Sequence, residues 1–126
     1  MTPLPDRLAS SLDLIDREYA RRVTIAELAR AAGCSRFHFM RAFRRAYGVT
    51  PGQRLRARRA ARARELLTST AAPVTDVCRL VGYRSLGTFS RVFHEITGES
   101  PSAFRRRTRK PVYIPSCFTR MFRADS

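Results

Sequence analysis

Two stretches of this chain are written twice. Ile25, Glu27, Leu28, Ala29 and Gly33 are answered 49 residues later by Val74, Asp76, Val77, Cys78 and Gly82. The second copy then gains one residue, and the match resumes at a spacing of 50. Ser35, Phe39, Arg41, Phe43, Gly48 and Pro51 stand against Ser85, Phe89, Arg91, Phe93, Gly98 and Pro101. Apolar, charged and turn positions all repeat, so the two copies share a structure and not merely a composition. Each copy reads as a short helix, a glycine-containing turn and a longer helix, which is a helix-turn-helix with the second helix as the candidate reading helix.

Local signals set the ends of these helices. Leu8, Leu12, Ile15 and Tyr19 share one face of an amphipathic helix ahead of the first copy. Thr24 with Glu27 forms a capping box, Val23 and Leu28 can staple it, and Gly33 ends that short helix. Ser35 opens the next helix and Gly48 closes it. Thr50, Pro51 and Gln53 then start a long helix to about Leu67 or Thr68, with Leu55, Arg59, Ala63 and Leu66 on one face. A helix of that length separates two units by about 25 Å. The expected fold is therefore all-α, with two helix-turn-helix units joined by a long helix, about seven helices in all. The first unit spans 4–49, the joining helix 50–69 and the second unit 70–107, leaving 108–126 as a basic and apolar tail.

Each unit supplies its own core. Ile25, Leu28 and Ala29 (then Val74, Val77 and Cys78) face Phe39 and Phe43 (then Phe89 and Phe93). Counting from Ser35 and Ser85, positions 4 and 8 are these phenylalanines and point inward. Positions 1, 2, 5, 6 and 9 point outward: Arg36, Phe37, Met40, Arg41 and Arg44 in one copy, Leu86, Gly87, Ser90, Arg91 and His94 in the other.

Charge narrows the class of partner. The 126 residues carry 25 Lys and Arg against 10 acids, a net charge of +15, and Lys110 is the one lysine. Such a charge repels itself in a compact state, so a polyanionic partner is the natural expectation. Arginine grips phosphate and guanine in a bidentate fork, although genomic base composition also favours it over lysine. Cys34, Cys78 and Cys117 are odd in number and lack a CxxC pair, which reads as reduced thiols in a cytosolic protein. Cys34, near arginines, is the candidate for a reactive thiol, and Cys78 for a core residue. No apolar run is long enough for a membrane span, and the N-terminus lacks a signal-peptide core. His38 and His94 form no zinc set, and no HExxH, P-loop, GxGxxG or GxSxG is present, so neither an enzyme nor a cofactor or metal is expected.

The stretch "VTDVCRLVGYRSLGTFSRVFHEITGESPSAFRR" carries Gly82-Tyr83, Phe89, Arg91, Phe93, Gly98, Ser100-Pro101 and Phe104-Arg105 in order. With the first unit and the Arg59, Ala63, Leu66, Leu67 pattern, it resembles the DNA-binding domain of the AraC/XylS family of bacterial transcription regulators over about residues 5–107. The resemblance implies seven helices, with two helix-turn-helix units set into successive major-groove segments. Cys78 sits where alanine is usual, and Gly87 and Thr88 leave a plain reading face. Most relatives carry a further effector or dimerisation domain, for which this length leaves no room. The expectation is a stand-alone regulator or a piece of something larger.

The expected base contacts are Arg36, Phe37, Met40 and Arg41, with Leu86, Gly87, Ser90 and Arg91. Arg41 and Arg91 are the candidates for guanine; a phosphate contact or an internal ion pair is the alternative for both. Phe37 and Met40 suit a thymine methyl or, alternatively, the rim of the core. Ser35, Arg44, Thr50, Arg84, Ser85, His94, Ser100 and Arg105 are expected at phosphates, partly through backbone N–H groups at helix starts, with Thr75 at another such start. Arg54, Arg56, Arg58, Arg59, Arg62 and Arg64 encircle the joining helix; half read as solvated, and Arg59 as structural, paired with an acid. Arg105, Arg106, Arg107, Arg109 and Lys110 read as an exposed basic tail. Phe118, Met121 and Phe122 could line one face of a helix after Pro115.

The expected partner is double-stranded DNA, bound by one chain as a monomer in the cytoplasm at the nucleoid, with RNA polymerase as a second partner if the protein activates. The alternative is an architectural protein that binds nucleic acid without sequence preference. A third reading gives the tail a small ligand.

Overall fold

The computed structural model describes residues 4–109, which form seven α-helices and no strand. They are α1 (Leu4–Glu18), α2 (Ile25–Ala32), α3 (Arg36–Tyr47), α4 (Pro51–Ser69), α5 (Val74–Leu80), α6 (Leu86–Thr97) and α7 (Pro101–Thr108). The expectations for Lys110, Cys117, Phe118, Met121 and Phe122 lie outside the described residues.

The caps fall where the side chains dictate. Thr24 Oγ1 accepts the Glu27 N–H while the Glu27 carboxylate accepts the Thr24 N–H, and Thr50 and Gln53 repeat this box at α4. Ser35, Ser85 and Ser100 each accept the N–H three residues on. Gly33 and Gly48 end α2 and α3 in the left-handed conformation that a side chain disfavours. The start of α5 departs from this scheme. Thr75 lies inside the helix, and the cap position belongs to Pro73, which offers no side-chain acceptor.

Two apolar cores result. Leu8, Ile15, Leu28, Ala29, Ala32, Phe39 and Phe43 form the first. Ala60, Ala63, Leu67, Val77, Cys78, Val81, Phe89, Phe93 and Phe104 form the second. The long helix serves both: Leu55 packs against the first core, and Ala60, Ala63 and Leu67 lie inside the second. Its buried face is thus shifted from the expected stripe, because Leu67 and not Leu66 is fully enclosed and Leu66 is half-buried. Tyr19, expected to pack with α1, follows the end of that helix and packs against the second core.

Two corrections concern arginines. Arg59 meets no acid: Nε donates to the Tyr19 carbonyl at 2.7 Å and Nη2 to the Arg21 carbonyl at 3.0 Å. Arg105, Arg106 and Arg107 are not tail residues but the last turn of α7. Arg107 pairs with Glu99, its Nε 2.8 Å from Oε2, and lies over the Phe104 ring.

Candidate nucleic-acid interface

The helix-turn-helix geometry turns α3 and α6 so that their phenylalanines are enclosed and the opposite faces are open. Phe39, Phe43, Phe89 and Phe93 are at most 1% exposed. On α3, Arg36, Phe37, Arg41 and Arg44 are exposed, and on α6 so are Leu86, Gly87, Arg91 and His94. Phe37 is 72% exposed, so it is not the rim of the core. Arg41 lies over its ring at 5.4 Å, and both residues also border an open apolar groove between α3 and the start of α1. Met40 behaves differently: it is half-buried and packs against the first core, presenting only part of its side chain. Ser90 is likewise half-buried.

Among the described residues no acid pairs with an arginine of α3. Among the described residues Asp13, Asp16, Glu18, Glu27, Glu65, Glu95 and Glu99 each hold an arginine. None of these partners is Arg36, Arg41, Arg44 or Arg45. The reading helix of the first unit therefore carries four uncompensated guanidinium groups. On α6, by contrast, Arg91 Nη1 lies 3.3 Å from Glu95 Oε2, both side chains being mostly exposed. An exposed pair of this kind contributes under about 1 kcal/mol, so Arg91 is held loosely.

The helix starts sort in the same way. The first turns of α1, α2 and α5 carry Asp6, Glu27 and Asp76, which offset the positive end of the helix. The first turns of α3, α4, α6 and α7 carry no acid. Those four are the helices capped by Ser35, Thr50, Ser85 and Ser100. Each cap oxygen accepts one N–H internally; Pro51 and Pro101 supply none at the starts of α4 and α7, so the other first-turn N–H groups and the hydroxyl protons are what an anion could meet.

Arg84 and Arg105 were expected to do similar work, and the structure separates them. Arg84 is exposed in the turn before α6 and faces a cleft that Arg22 and Arg79 also line. Nothing in the sequence pattern singled out Arg22 or Arg79. Arg105 is folded back onto the protein: Nε donates to the Leu67 carbonyl at 3.1 Å and Nη2 to the Thr70 carbonyl at 3.2 Å. Burial, with the Arg109 charge nearby, lowers its affinity for the proton. It closes the end of α4 and is not presented as a phosphate ligand.

Cys34 is half-buried in the turn between α2 and α3, and Cys78 is 2% exposed in the second core, where burial pushes its thiol pKa up. No helix among the described residues is long and apolar enough to cross a membrane.

Comparison with known proteins agrees with this arrangement. A family model described as a helix-turn-helix domain matches residues 28–107. The regulatory protein SoxS of Salmonella typhimurium is 33% identical over 96 residues, covering 76% of this chain and 90% of that protein. Two other curated relatives are longer, and the chain spans 37% and 29% of their lengths. The C-terminal domain of AraT, a response regulator from Geobacillus stearothermophilus, superposes with a TM-score of 0.82 at 25% identity, covering 89% of this chain and 93% of that one. The DNA-binding domain of the global transcriptional factor AdpA, solved in complex with a target DNA, superposes with a TM-score of 0.72 at 30% identity, covering 85% and 93%.

Proposed function

The chain belongs to the AraC/XylS family of DNA-binding transcription regulators, and from that membership we propose that it recognises a specific double-stranded sequence by inserting α3 and α6 into successive major-groove segments. The observation that carries this is the distribution of charge. Seven acids neutralise arginines elsewhere, and among the described residues the four arginines of α3 are exposed and pair with no acid. The relative AdpA, at 30% identity and solved with a target DNA, supports DNA binding by this fold.

On this reading Arg41 and Arg91 approach base edges, Phe37 meets a thymine methyl, and Arg36 contributes to base readout. Arg44, Arg84 and His94, with the helix starts at Ser35, Thr50, Ser85 and Ser100, hold phosphates. Gly87 supports close approach by α6, because a Cβ there would meet only Ser85 Oγ at an ordinary 3.7 Å and its backbone is helical. The protein's own packing thus gives no reason for a glycine at that place. The first unit supplies most direct readout, since α6 offers fewer groups able to tell bases apart. Two reading helices in one chain engage two half-sites without a dimer, about one helical turn or 34 Å apart. Activation further requires a contact with RNA polymerase.

In vitro selection from random duplexes tests the proposal. The wild type should select a bipartite site, bound about 10³-fold or more tightly than random DNA at fixed salt. Arg41→Ala and Arg91→Ala should each lose preference at different positions. Uniform weakening in both variants would make these side chains phosphate contacts, and equal affinity for all sequences would favour an architectural protein.

A further inference from the structure

Beside the joining helix, a second set of contacts ties the second unit to the first. Between Leu55, on the first core, and Ala60, in the second, α4 passes from one unit to the other. Arg59 lies in this crossing. Its fork donates to two carbonyls of the first unit, Tyr19 at 2.7 Å and Arg21 at 3.0 Å. Its Cζ lies 4.9 Å from the ring centre of Tyr83 in the second unit. Tyr83 in turn rests on Phe89 of α6, with ring centres 5.5 Å apart. A continuous line of contacts therefore runs from the α1–α2 loop through one guanidinium to the second reading helix.

Gly82 lets this line close. At φ +101° it occupies backbone space that side chains disfavour. A Cβ there would lie 2.9 Å from the Tyr19 carbonyl oxygen and 3.0 Å from Arg59 Cζ and Nε. The backbones of the two units meet at this point with no room for a side chain. Neighbouring bonds brace the same corner: Arg54 Nη2 reaches both Asp16 carboxylate oxygens, and Arg58 lies over the Tyr19 ring at 4.5 Å.

We infer that Arg59 is a positioning residue that fixes the separation and phase of the two reading helices, so that it selects the spacing between half-sites without touching DNA. The inference rests on the two-helix reading proposed above. One added base pair shifts a half-site by about 3.4 Å and about a tenth of a turn, which a fixed pair of helices cannot follow.

The test compares the selected duplex with one carrying a single base pair inserted between its half-sites. The wild type should bind the inserted duplex about tenfold or more weakly. Arg59→Lys keeps the charge but loses the planar fork, and Arg59→Met loses both. Each should shrink that penalty to about threefold or less, while base preference within each half-site is retained. Gly82→Ala should act in the same direction. If Arg59→Met fails to melt cooperatively, Arg59→Lys decides. Variants that pay the full wild-type penalty would reduce Arg59 to a structural role and overturn the inference alone. A wild type indifferent to the insertion would overturn both this inference and the two-helix reading.

Discussion

Arg105→Ala separates a role in the fold from a role at DNA. Helix α4 ends at Ser69, so its last carbonyls lack partners within the helix. The Leu66 carbonyl is satisfied by the Thr70 N–H and hydroxyl at 3.1 and 2.6 Å. The next carbonyl, Leu67, and that of Thr70 both depend on the Arg105 guanidinium. A hydrogen bond to a charged group contributes about 1.5–3 kcal/mol, and water can partly replace these two because the side chain is only half-buried. A loss of about 2 kcal/mol is therefore expected for the pair. In a domain near 100 residues this lowers Tm by roughly 8–16 °C. Removing a phosphate contact would instead shrink the magnitude of the negative slope of log K against log salt by about 0.9. Thermal melting and a salt titration on one duplex read the two quantities separately. Arg106→Ala, at an exposed neighbour on the same helix, controls for charge alone. The structure predicts a large Tm loss and an unchanged slope for Arg105→Ala. An unchanged Tm with a slope shallower by about 0.9 would refute the argument and return Arg105 to the phosphate contacts expected from sequence.

Two further perturbations probe other parts of the molecule. Gly87→Ala should stabilise α6 by up to about 1 kcal/mol, since alanine is the better helix former and fits without a clash; the same variant should weaken binding to the selected duplex, and equal or tighter binding would remove the close-approach role. The Glu27 carboxyl is held at a pKa of about 2, against an ordinary 4.5, by the Arg21 guanidinium first and by the Thr24 N–H. Its folded-state pKa is depressed, so its contribution is complete above about pH 4.5 and fades as pH falls towards 2. Melting curves should show an acid-induced loss in that window that Glu27→Gln flattens, and a variant that tracks the wild type throughout would contradict the assignment.

What was legible in the sequence was what neighbouring residues decide among themselves. Caps such as Thr24 with Glu27 act over three residues, and the phenylalanine pairs four apart mark the buried face of each reading helix. The internal repeat then identified two copies of one unit. What escaped the pattern is long-range and depends on carbonyl groups, which every residue carries and no residue type announces. Arg59 was recognised as structural, but its partners at Tyr19 and Arg21 lie 40 and 38 residues away. Arg105 finds its partners 38 and 35 residues away. The helix start at α5 was legible in principle. Aligning the copies at 49 residues sets Pro73 opposite Thr24, which removes the capping hydroxyl and leaves Thr75 within the helix.

The same carbonyl contacts explain how a chain of net charge +15 holds together. Ten acids cannot neutralise 25 cations, and a strong charge imbalance opposes a compact state. This protein directs several arginines to the negative ends of its own helices instead. Arg7 donates to the Gly33 carbonyl at the end of α2. Arg58 and Arg59 donate to the carbonyls of Asp16, Tyr19 and Arg21 around the end of α1, and Arg105 closes the end of α4. A guanidinium can bond two carbonyls at once in a fixed plane, which an ammonium group cannot reproduce. Beyond its ion pairs, arginine therefore has two further settings here, and the helix ends distinguish them. Those folded back onto helix C-termini bond the scaffold's own carbonyls, while those of α3 pair with no carboxylate among the described residues.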